Sequence, residues 1–336
     1  MVDGTTTYGD ISQRTAAWAA VEMLAHAEPT IVLGKFAKQK PVPMNTANVV
    51  KFRRPIPFPA ATTPLVEGVT PTPQKMLYED VQATLQQYGA TTEITDVVRD
   101  TSEDPVLKDA TMLMGEQAGE TLEAVLYGVM KAGTSVTYAN GTARTDVNTP
   151  MTLSVQRSIT RSLKSQKAKK ISRMLSSSPN YGTKAIEPAY IAFSHTNVEG
   201  DIRNINGFIP VADYGQRSPL CEEELGSAED VRYILSADLD GFADAGGAED
   251  GSGESMMSTG GTSADVFPVV FVGRESYASV PLKGKQAITP MIVNAKPSAA
   301  DPMAQRTYVS WKTYYAGVRL NENWMHRAEV AASQNP

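Results

Sequence analysis

The stretch NTANVVKFRRPIPFPAATTPLVEGVTPTP, residues 45–73, is the most unusual part of this 336-residue sequence. Its beginning, Val49 to Arg54, has the composition of a β-strand. A proline-rich run follows, and eight of the chain's 21 prolines lie between Pro41 and Pro73. Because proline has no N–H to donate to a sheet ladder, this run is not a central strand.

The segment MLYEDVQATLQQYGATTEIT, residues 76–95, predicts a long returning strand, because apolar and polar residues alternate along it. The two strands together predict a hairpin with a proline-rich tip, which at about 3.3 Å per residue projects by roughly 40 Å. Isolated hairpins are marginally stable in water. We therefore expect another molecule to cover this hairpin.

The composition limits the classes of protein to which this chain can belong. With 41% hydrophobic and 20% charged residues, the chain is expected to bury a sizeable core in roughly two domains. A net charge of −6 disfavours indiscriminate binding to nucleic acid or anionic membranes. The single cysteine, Cys221, excludes an intramolecular disulfide and a cysteine-rich zinc site and is typical of a reducing compartment.

Neither secretion nor membrane insertion is expected. The first residues, MVDGTTTYGD, lack the basic and apolar regions of a signal peptide. The longest strongly apolar stretch, VFPVVFVG at 266–273, is too short to cross a bilayer.

Residues 104–132 predict a very long helix. Asp104 is the expected N-cap, Pro105 the first helical residue and Gly133 the end. The expected buried stripe recurs at three- and four-residue steps and consists of Val106, Ala110, Leu113, Ala118, Leu122, Val125 and Val129. Three glycines inside the helix indicate close packing against another backbone, namely Gly115, Gly119 and Gly128.

The remaining pattern mixes helices and strands without a regular βαβ rhythm, so the expected class is α+β. Asn140-Gly141 is typical of a hairpin turn, and Thr196 with Glu199 predicts the capped start of a short helix through Asn204. Two more helices are predicted, at 10–27 and 150–167. Strands are predicted at 169–177, 189–195, 230–237, 266–273 and 306–320, and a polar tail after them.

Catalytic motifs are missing from the sequence. The three histidines, His26, His195 and His326, stand in separate contexts, and His195 is expected to be structural. HExxH, CxxC, phosphate-binding glycine motifs and the GxSxG elbow do not occur. A scattered Ser/His/Asp triad stays open, so a cytosolic hydrolase is the alternative from another class.

Asp238, Asp240 and Asp244 offer oxygen ligands, but their spacing does not fit an EF-hand loop. We expect no metal and no cofactor. Residues 240–263 are interpreted as an exposed, acidic, glycine-rich loop whose deletion leaves folding intact.

Charge is distributed unevenly. Residues 221–265 carry twelve acidic groups and one basic group, Arg232. Residues 150–178 carry seven basic groups and no acidic one: Arg157, Arg161, Lys164, Lys167, Lys169, Lys170 and Arg173. This basic segment has three open interpretations: it faces phosphates, it meets an acidic patch on a neighbouring copy, or it is a solvated face.

The phrases KFRR, LVEGVTP and QQYGATTEITD, together with the order of elements, resemble the major capsid proteins of tailed bacteriophages, which have the Hong Kong-97-type fold. The resemblance covers nearly the whole chain. It implies an N-terminal arm at 1–45, an extended loop at 46–100, a peripheral domain at 101–185 with its spine helix at 104–132, an axial domain at 186–300, and a return to the peripheral domain with a tail at 301–336.

The resemblance also implies a function. Such proteins self-assemble as hexamers and pentamers into an icosahedral head, in the cytoplasm of a bacterial host, and enclose double-stranded DNA without sequence specificity. Expected partners are a portal protein, an optional decoration protein and a separate scaffolding protein, the last because this sequence lacks the long N-terminal scaffolding region of some relatives. No catalytic residue carries over, and noncovalent locking is expected because no lysine–asparagine cross-link pair can be assigned.

The runner-up among structural proteins is a bacterial nanocompartment shell, which resembles the same fold but encloses enzyme cargo. The hypothesised intersubunit contacts are Arg53, Arg54 and Glu67 on the hairpin, and Arg157, Arg161 and Lys164 in the basic segment.

Overall fold

A computed structural model describes residues 23, 31–45, 47–102, 105–175, 183–215, 217–248, 255–282, 288–295, 297 and 302–334. The helix predicted at 10–27 lies outside these residues except for Met23, which is helical and buried. The helices are α1 (Asp96–Thr101), α2 (Val106–Lys131), α3 (Leu153–Ser165) and α4 (Glu199–Arg203). The strands are β1 (Lys38–Gln39), β2 (Val49–Pro55), β3 (Tyr78–Thr84), β4 (Gln86–Thr95), β5 (Val136–Tyr138), β6 (Ile171–Leu175), β7 (Thr183–Ser194), β8 (Phe208–Pro210), β9 (Glu224–Ala228), β10 (Val231–Leu235), β11 (Val266–Val272), β12 (Tyr277–Pro281), β13 (Thr289–Val293), β14 (Arg306–Arg319) and β15 (Met325–Ala331).

A five-stranded sheet is built around β14. Residues 306–315 of β14 pair antiparallel with β4, while β13 and β12 pair with β14 and β1 lies parallel to β12. Tyr315 pairs with both Gln86 of β4 and Pro281 of β12, so these two strands flank opposite edges of β14. Because β4 continues directly from β3, this sheet anchors the hairpin.

An eight-stranded sheet forms the main core. Its strand order is β5-β15-β11-β7-β10-β9-β8, and β6 pairs with β7. Every residue of β10, β11 and β15 is buried. A sheet covered on both faces favours continuous apolar runs over alternation, which explains the sequence VFPVVFV of β11.

Helix α2 is the long helix that the sequence predicts. Its 26 residues span about 39 Å. Its buried stripe consists of Thr111, Gly115, Ala118, Gly119, Leu122, Glu123, Leu126, Tyr127 and Met130. Ala118 and Leu122 were placed correctly, but Leu113 is 59% exposed, so its predicted burial is wrong.

Two of the glycines in this helix differ in their surroundings. A Cβ at Gly115 would lie 2.6 Å from the carbonyl oxygen of Met23, so the helix meets another backbone there, as predicted. Gly128 is exposed, and a Cβ on it would meet nothing within 4 Å, so the same prediction is wrong there. Pro105 occupies the N-cap position one residue before the helix, and Asp104 lies outside the described residues.

Most other predicted elements are confirmed, including α3, β6, β7, β10, β11 and β14. The predicted polar tail is wrong, because residues 325–331 form the buried strand β15. The hairpin at Asn140-Gly141 is also wrong: Gly141 has a φ of +70° in a turn, but β5 before it pairs in parallel with β15.

Two further details differ from the sequence reading. His195, and not Thr196, caps the short helical segment, because its Nδ1 accepts a hydrogen bond from the Asn197 N–H at 3.0 Å. The domain division at residue 300, which stays a prediction, separates β12 and β13 from β14, although all three lie in the five-stranded sheet. None of the helices among the described residues is long and apolar enough to cross a bilayer.

Candidate assembly interface

The arm, defined here as β2, β3 and the tip between them (residues 56–77), rests on the five-stranded sheet only at its base. Strands β2 and β3 pair antiparallel from Val49↔Thr84 to Pro55↔Tyr78. Val50, Phe52 and Ala83 are buried there, and they share an apolar cluster with residues of β12 and β14. Strand β2 is therefore confirmed, and the alternation of β2 and β3 places one face of the base on the sheet. The single returning strand predicted at 76–95 is wrong, because it is divided into β3 and β4 and β4 pairs with β14.

The tip contains no helix or strand, and each of its residues is exposed. The last ladder bond runs from the Ile56 N–H to the Leu77 carbonyl at 2.9 Å. A tight turn at the end has Gly68 at a φ of +78° and a bond from the Val69 N–H to the Val66 carbonyl. Large apolar side chains stay uncovered here: Ile56, Phe58, Leu65, Val66, Val69, Met76 and Leu77.

Arg53 and Arg54 both pair across the arm. Arg53 lies opposite Asp80 and forms a two-pronged ion pair with it, at 2.8 and 3.0 Å, while Arg54 pairs with Glu79. The hydrogen bond from Arg53 lowers the pKa of Asp80. Within one copy these arginines therefore brace the hairpin, and their contact with a neighbouring copy, like that of Glu67 at the exposed tip, stays a prediction.

The basic segment meets the acidic turn between β9 and β10 of its own chain. Arg157 pairs with Glu229, and both Lys164 and Lys170 pair with Asp230. The hydrogen bond from Lys164, followed by that from Lys170, lowers the pKa of Asp230. Arg161 lies exposed on α3 beside these pairs. The sequence could not reveal these partners because they lie 60 to 72 residues away.

Hydrogen bonds within the acidic segment 237–265 join its first and last parts. The Asp244 carboxylate accepts a hydrogen bond from the Gly260 N–H at 2.6 Å, and Asp265 accepts one from the Asp244 N–H at 2.8 Å. Phe242 bridges to Val266, and Met256 is buried. The interpretation of 240–263 as an exposed loop holds for Asp240, Asp244 and residues 259–262 but is wrong for Gly247 and Met256, which are buried, and residues 249–254 lie outside the described part.

No three potential metal ligands come together among the residues that the structure describes. His326 has Ser135 Oγ at 2.9 Å from Nδ1 and Thr137 Oγ1 at 2.7 Å from Nε2, and burial lowers its pKa. His195 makes the capping bond described above, which agrees with its predicted structural role, and burial lowers its pKa. His26 lies outside the described residues.

One buried acid on α2 was missed by the sequence reading. Glu123 is 1% exposed, and its Oε1 accepts hydrogen bonds from the Val32 and Leu33 N–H groups, the latter at 2.6 Å. Desolvation raises the pKa of Glu123 to about 7, against the opposing effect of these bonds. The sequence feature that could have revealed it is an acidic residue at a buried position of the helix, four residues after Gly119 and four before Tyr127. Glu123 thus fastens the segment before β1 to the long helix.

Comparison with solved structures gives the class of protein. The fold is similar to the capsid of Ralstonia phage GP4, with a TM-score of 0.65 and 11% identity over 90% of this chain and 88% of that one. It is also similar to the cyanophage Pam1 capsid, with a TM-score of 0.58 and 13% identity over 93% of each chain. A third match is the SrpI encapsulin complex from Synechococcus elongatus PCC 7942, with a TM-score of 0.50 and 11% identity over 98% and 92%.

These likenesses confirm the predicted α+β, Hong Kong-97-type shell fold. A family model described as phage capsid protein matches residues 78–323, so the chain belongs to the phage capsid protein family and is a major capsid protein. No curated protein matches the sequence.

Proposed function

We propose that this protein assembles as hexamers and pentamers into the icosahedral head of a tailed phage and encloses double-stranded DNA without sequence specificity. The observation that carries the proposal is the arm, because its exposed apolar tip finds no partner within the described part of its own chain. A contact in which one patch meets a different patch on an identical copy closes into rings or extends into larger assemblies. Membership of the phage capsid protein family supports the same conclusion.

The proposal includes the wider assembly. A separate scaffolding protein guides shell closure in the bacterial cytoplasm, a portal protein occupies one vertex, and a decoration protein is an optional addition. The proposed role is structural and not enzymatic, which membership of the phage capsid protein family supports. The division into an N-terminal arm at 1–45, an extended loop at 46–100, a peripheral domain and an axial domain belongs to this proposal. The arm formed by β2, β3 and the tip is part of that extended loop.

The proposed intersubunit contacts are Arg53, Arg54 and Glu67 on the arm, and Arg157, Arg161 and Lys164 on or beside α3. The guanidinium and ammonium groups of these side chains are partly exposed even where they already have a partner. Salt screens such contacts, so assembly yield is expected to fall as ionic strength rises. Assembly that is insensitive to salt would contradict a role for these charges.

Sedimentation velocity of the purified protein, with electron micrographs of each peak, tests the proposal. We expect hollow shells, or pentamers and hexamers that become shells when a scaffolding protein is added. The matched control replaces residues 57–76 with Asn-Gly, a two-residue hairpin turn that keeps the paired base of the arm. Compact monomers or dimers from the parent, unchanged by concentration, salt or scaffold, would overturn the proposal.

The alternative is a bacterial nanocompartment shell, which the similarity to the encapsulin complex favours. Both functions need the same closed shell, so particle formation does not separate them. The contents do: nuclease-protected DNA in particles from the native host supports the phage head, whereas a packaged enzyme supports the nanocompartment.

A further inference from the structure

The exposed side of α3 and of the turn after it carries hydrogen-bond donors and no negative charge. Every exposed residue from 154 to 169 is a serine, an arginine, a lysine or a glutamine. The buried side of the helix includes Val155, Ile159 and Leu163, which pack into the main core. Arginine, lysine, serine and glutamine are among the side chains that contact phosphates in nucleic-acid complexes.

Three cations lie together where this surface ends, and we call Lys167, Lys169 and Arg274 the basic corner. Lys167 and Lys169 follow α3, and Arg274 lies between β11 and β12 with its N–H donating to the Lys169 carbonyl at 2.7 Å. All three are exposed, and none forms an ion pair with another residue that the structure describes. The corner therefore concentrates positive charge at a surface that is open to solvent.

The acidic groups around the basic corner are already neutralised. Asp230 pairs with both Lys164 and Lys170. Glu275, which follows the corner in the chain, pairs with Lys38 at 2.9 Å. Because each of these carboxylates has its own cation, the three charges of the corner remain available to an external anion.

The backbone fixes the position of the basic corner. Two hydrogen bonds close the end of α3, from the Lys167 N–H to the Lys164 carbonyl at 3.0 Å and from the Ala168 N–H to the Leu163 carbonyl at 2.9 Å. The Tyr190 hydroxyl also donates to the Ala168 carbonyl at 2.9 Å. This type of helix end usually has glycine at the position of Lys167, whose φ is +55°. A lysine where glycine fits best indicates a role for its charge.

Two simpler explanations account for only part of the basic corner. A cation suits the carbonyl end of a helix, but this effect falls off within the last turn, so it concerns Lys167 and not Arg274. An acidic protein would also meet the charges, but protein contacts depend on buried apolar or aromatic anchors. None of the exposed residues from 154 to 169 is apolar or aromatic. Single-stranded nucleic acid likewise needs aromatic side chains for base stacking, so the phosphates of a duplex fit this surface best.

We propose that the basic corner contacts the phosphates of the enclosed double-stranded DNA, and that this side of the subunit faces the interior of the head. The inference rests on the proposed function and adds to it the surface that meets the DNA. Phosphate contacts carry no sequence information, which agrees with enclosure of DNA of any sequence. The proposed intersubunit contacts Arg157, Arg161 and Lys164 lie earlier in the chain, on α3.

The salt dependence of DNA binding tests the basic corner. The double variant Lys167→Gly and Lys169→Gln removes two charges, and glycine suits the left-handed turn, so the subunit should fold normally. Binding of a short fluorescent duplex to unassembled subunits that carry the Asn-Gly tip replacement is measured by anisotropy at a series of salt concentrations. The logarithm of the binding constant falls with the logarithm of the salt concentration by about 0.9 per phosphate contact, so the slope should be shallower by about 1.8 in the variant.

Arg203→Gln combined with Arg217→Gln is the matched control. Both arginines are exposed, and they already pair with Glu199 and Glu187 respectively. This variant has the same net charge as the first one and should keep the parent's slope. Equal slopes for all three proteins, an equal loss in both variants, or no duplex binding by the parent would overturn the inference. Poly-glutamate that binds the corner more tightly than the duplex does would also overturn it and would identify an acidic protein as the partner.

Labelling of assembled shells tests which side of the subunit the basic corner occupies. Lys169→Cys in a Cys221→Ala background is assembled and treated with a maleimide that carries a large polyethylene glycol. We expect no labelling of closed shells and complete labelling once the shells are dissociated. Labelling of closed shells would overturn the inference and leave the proposed function standing, whereas failure of the unaltered protein to form any shell would overturn the proposed function itself. If the Cys221→Ala parent forms no shells although the unaltered protein does, Lys169→Cys is compared with the unaltered chain.

Discussion

Similar apolar side chains are buried in the eight-stranded sheet and exposed at the tip of the arm. Every residue of β11 is buried, whereas every residue from Pro55 to Asp80 is exposed. Full burial of a valine, leucine or phenylalanine is worth about 1.5–3 kcal/mol, so β11 stabilises its own fold. Leu65, Val66 and Phe58 are 79%, 67% and 53% exposed, so they gain only part of this energy in one copy. The sheet therefore stabilises the subunit itself, whereas contact of the tip with another subunit is what we propose.

Charged pairs show the same division. Glu329 in the sheet is fully buried between Arg144 and Arg327, with Arg144 contributing two bonds of 2.7 Å. On the arm, Arg53 and Arg54 pair with Asp80 and Glu79 in solvent. Removal of Glu329 leaves an unpaired charge buried in the protein. Removal of Asp80 or Glu79 leaves an arginine charge in contact with water.

The largest expected effect on folding is that of Glu329→Ala. It leaves Arg327, which is 8% exposed, without its carboxylate, and breaking a buried pair in this way costs about 3–5 kcal/mol. Urea unfolding of unassembled subunits that carry the Asn-Gly tip replacement measures the loss. Glu79→Ala is the control from the arm and should cost less than about 1 kcal/mol. Equal losses in the two variants would remove the distinction between the two regions.

The next effect is a pH dependence that comes from Glu123. Desolvation raises its folded pKa to about 7, Asp238 raises it further, and the Leu33 and Val32 N–H groups and Lys35 oppose the rise. Between about pH 4.5 and 7 the folded state keeps a proton that the unfolded chain has released. Stability therefore falls as pH rises through this window, by roughly 3 kcal/mol in total, and this group changes it no further above pH 7.

Glu123→Gln tests this assignment, because glutamine keeps an oxygen that accepts from Val32 and Leu33 but does not ionise. The fall in unfolding free energy between pH 4.5 and 7 should be about 3 kcal/mol smaller in this variant. Glu120→Gln, at an exposed position of the same helix, should keep the parent's profile. Parallel profiles for parent and Glu123→Gln would show that the pKa of Glu123 is not raised in the folded state.

A smaller effect comes from the two faces of α2. Gly115→Ala places a Cβ 2.6 Å from the Met23 carbonyl oxygen and 2.9 Å from its Cα, so a loss of about 1–3 kcal/mol is expected. Gly128→Ala meets no neighbour and should stabilise the helix by about 0.5–1 kcal/mol. Thermal unfolding of both variants gives the comparison, and a stabilising Gly115→Ala would mean that Met23 does not lie against the helix.

The arm was predictable from sequence because its signals are local. Alternation from Val81 to Gln86 and the prolines after Arg54 define the strands and the tip without knowledge of distant residues. Strand β15 was missed because MHRAEVA reads as polar, yet His326, Arg327 and Glu329 are buried. Their partners Ser135 and Arg144 lie about 190 residues earlier in the chain, and hydropathy does not register such pairing.

The candidate site shows the same limit. Arg53, Arg54 and the basic segment were recognised as charges that need partners, but the sequence did not say which. Cross-strand register supplies Asp80 and Glu79, and the turn between β9 and β10 supplies Glu229 and Asp230. Glu123 was missed because the predicted stripe passed through Leu122 and Val125 without it, and because its partners are the backbone N–H groups of a preceding segment.

The smallest effect on folding, and the sharpest test of the arm, is a charge swap. Arg53→Asp combined with Asp80→Arg restores the cross-strand pair with its ends exchanged, so no measurable change in unfolding free energy is expected. A neighbouring copy that contacts position 53 would, however, meet an aspartate instead of an arginine. If Arg53 contacts that copy, the swapped protein folds like the parent but forms shells poorly, as does Arg53→Asp alone. Sedimentation velocity separates the cases, because shell yields that return to the parent's level in the swapped protein would mean that Arg53 acts only within its own hairpin.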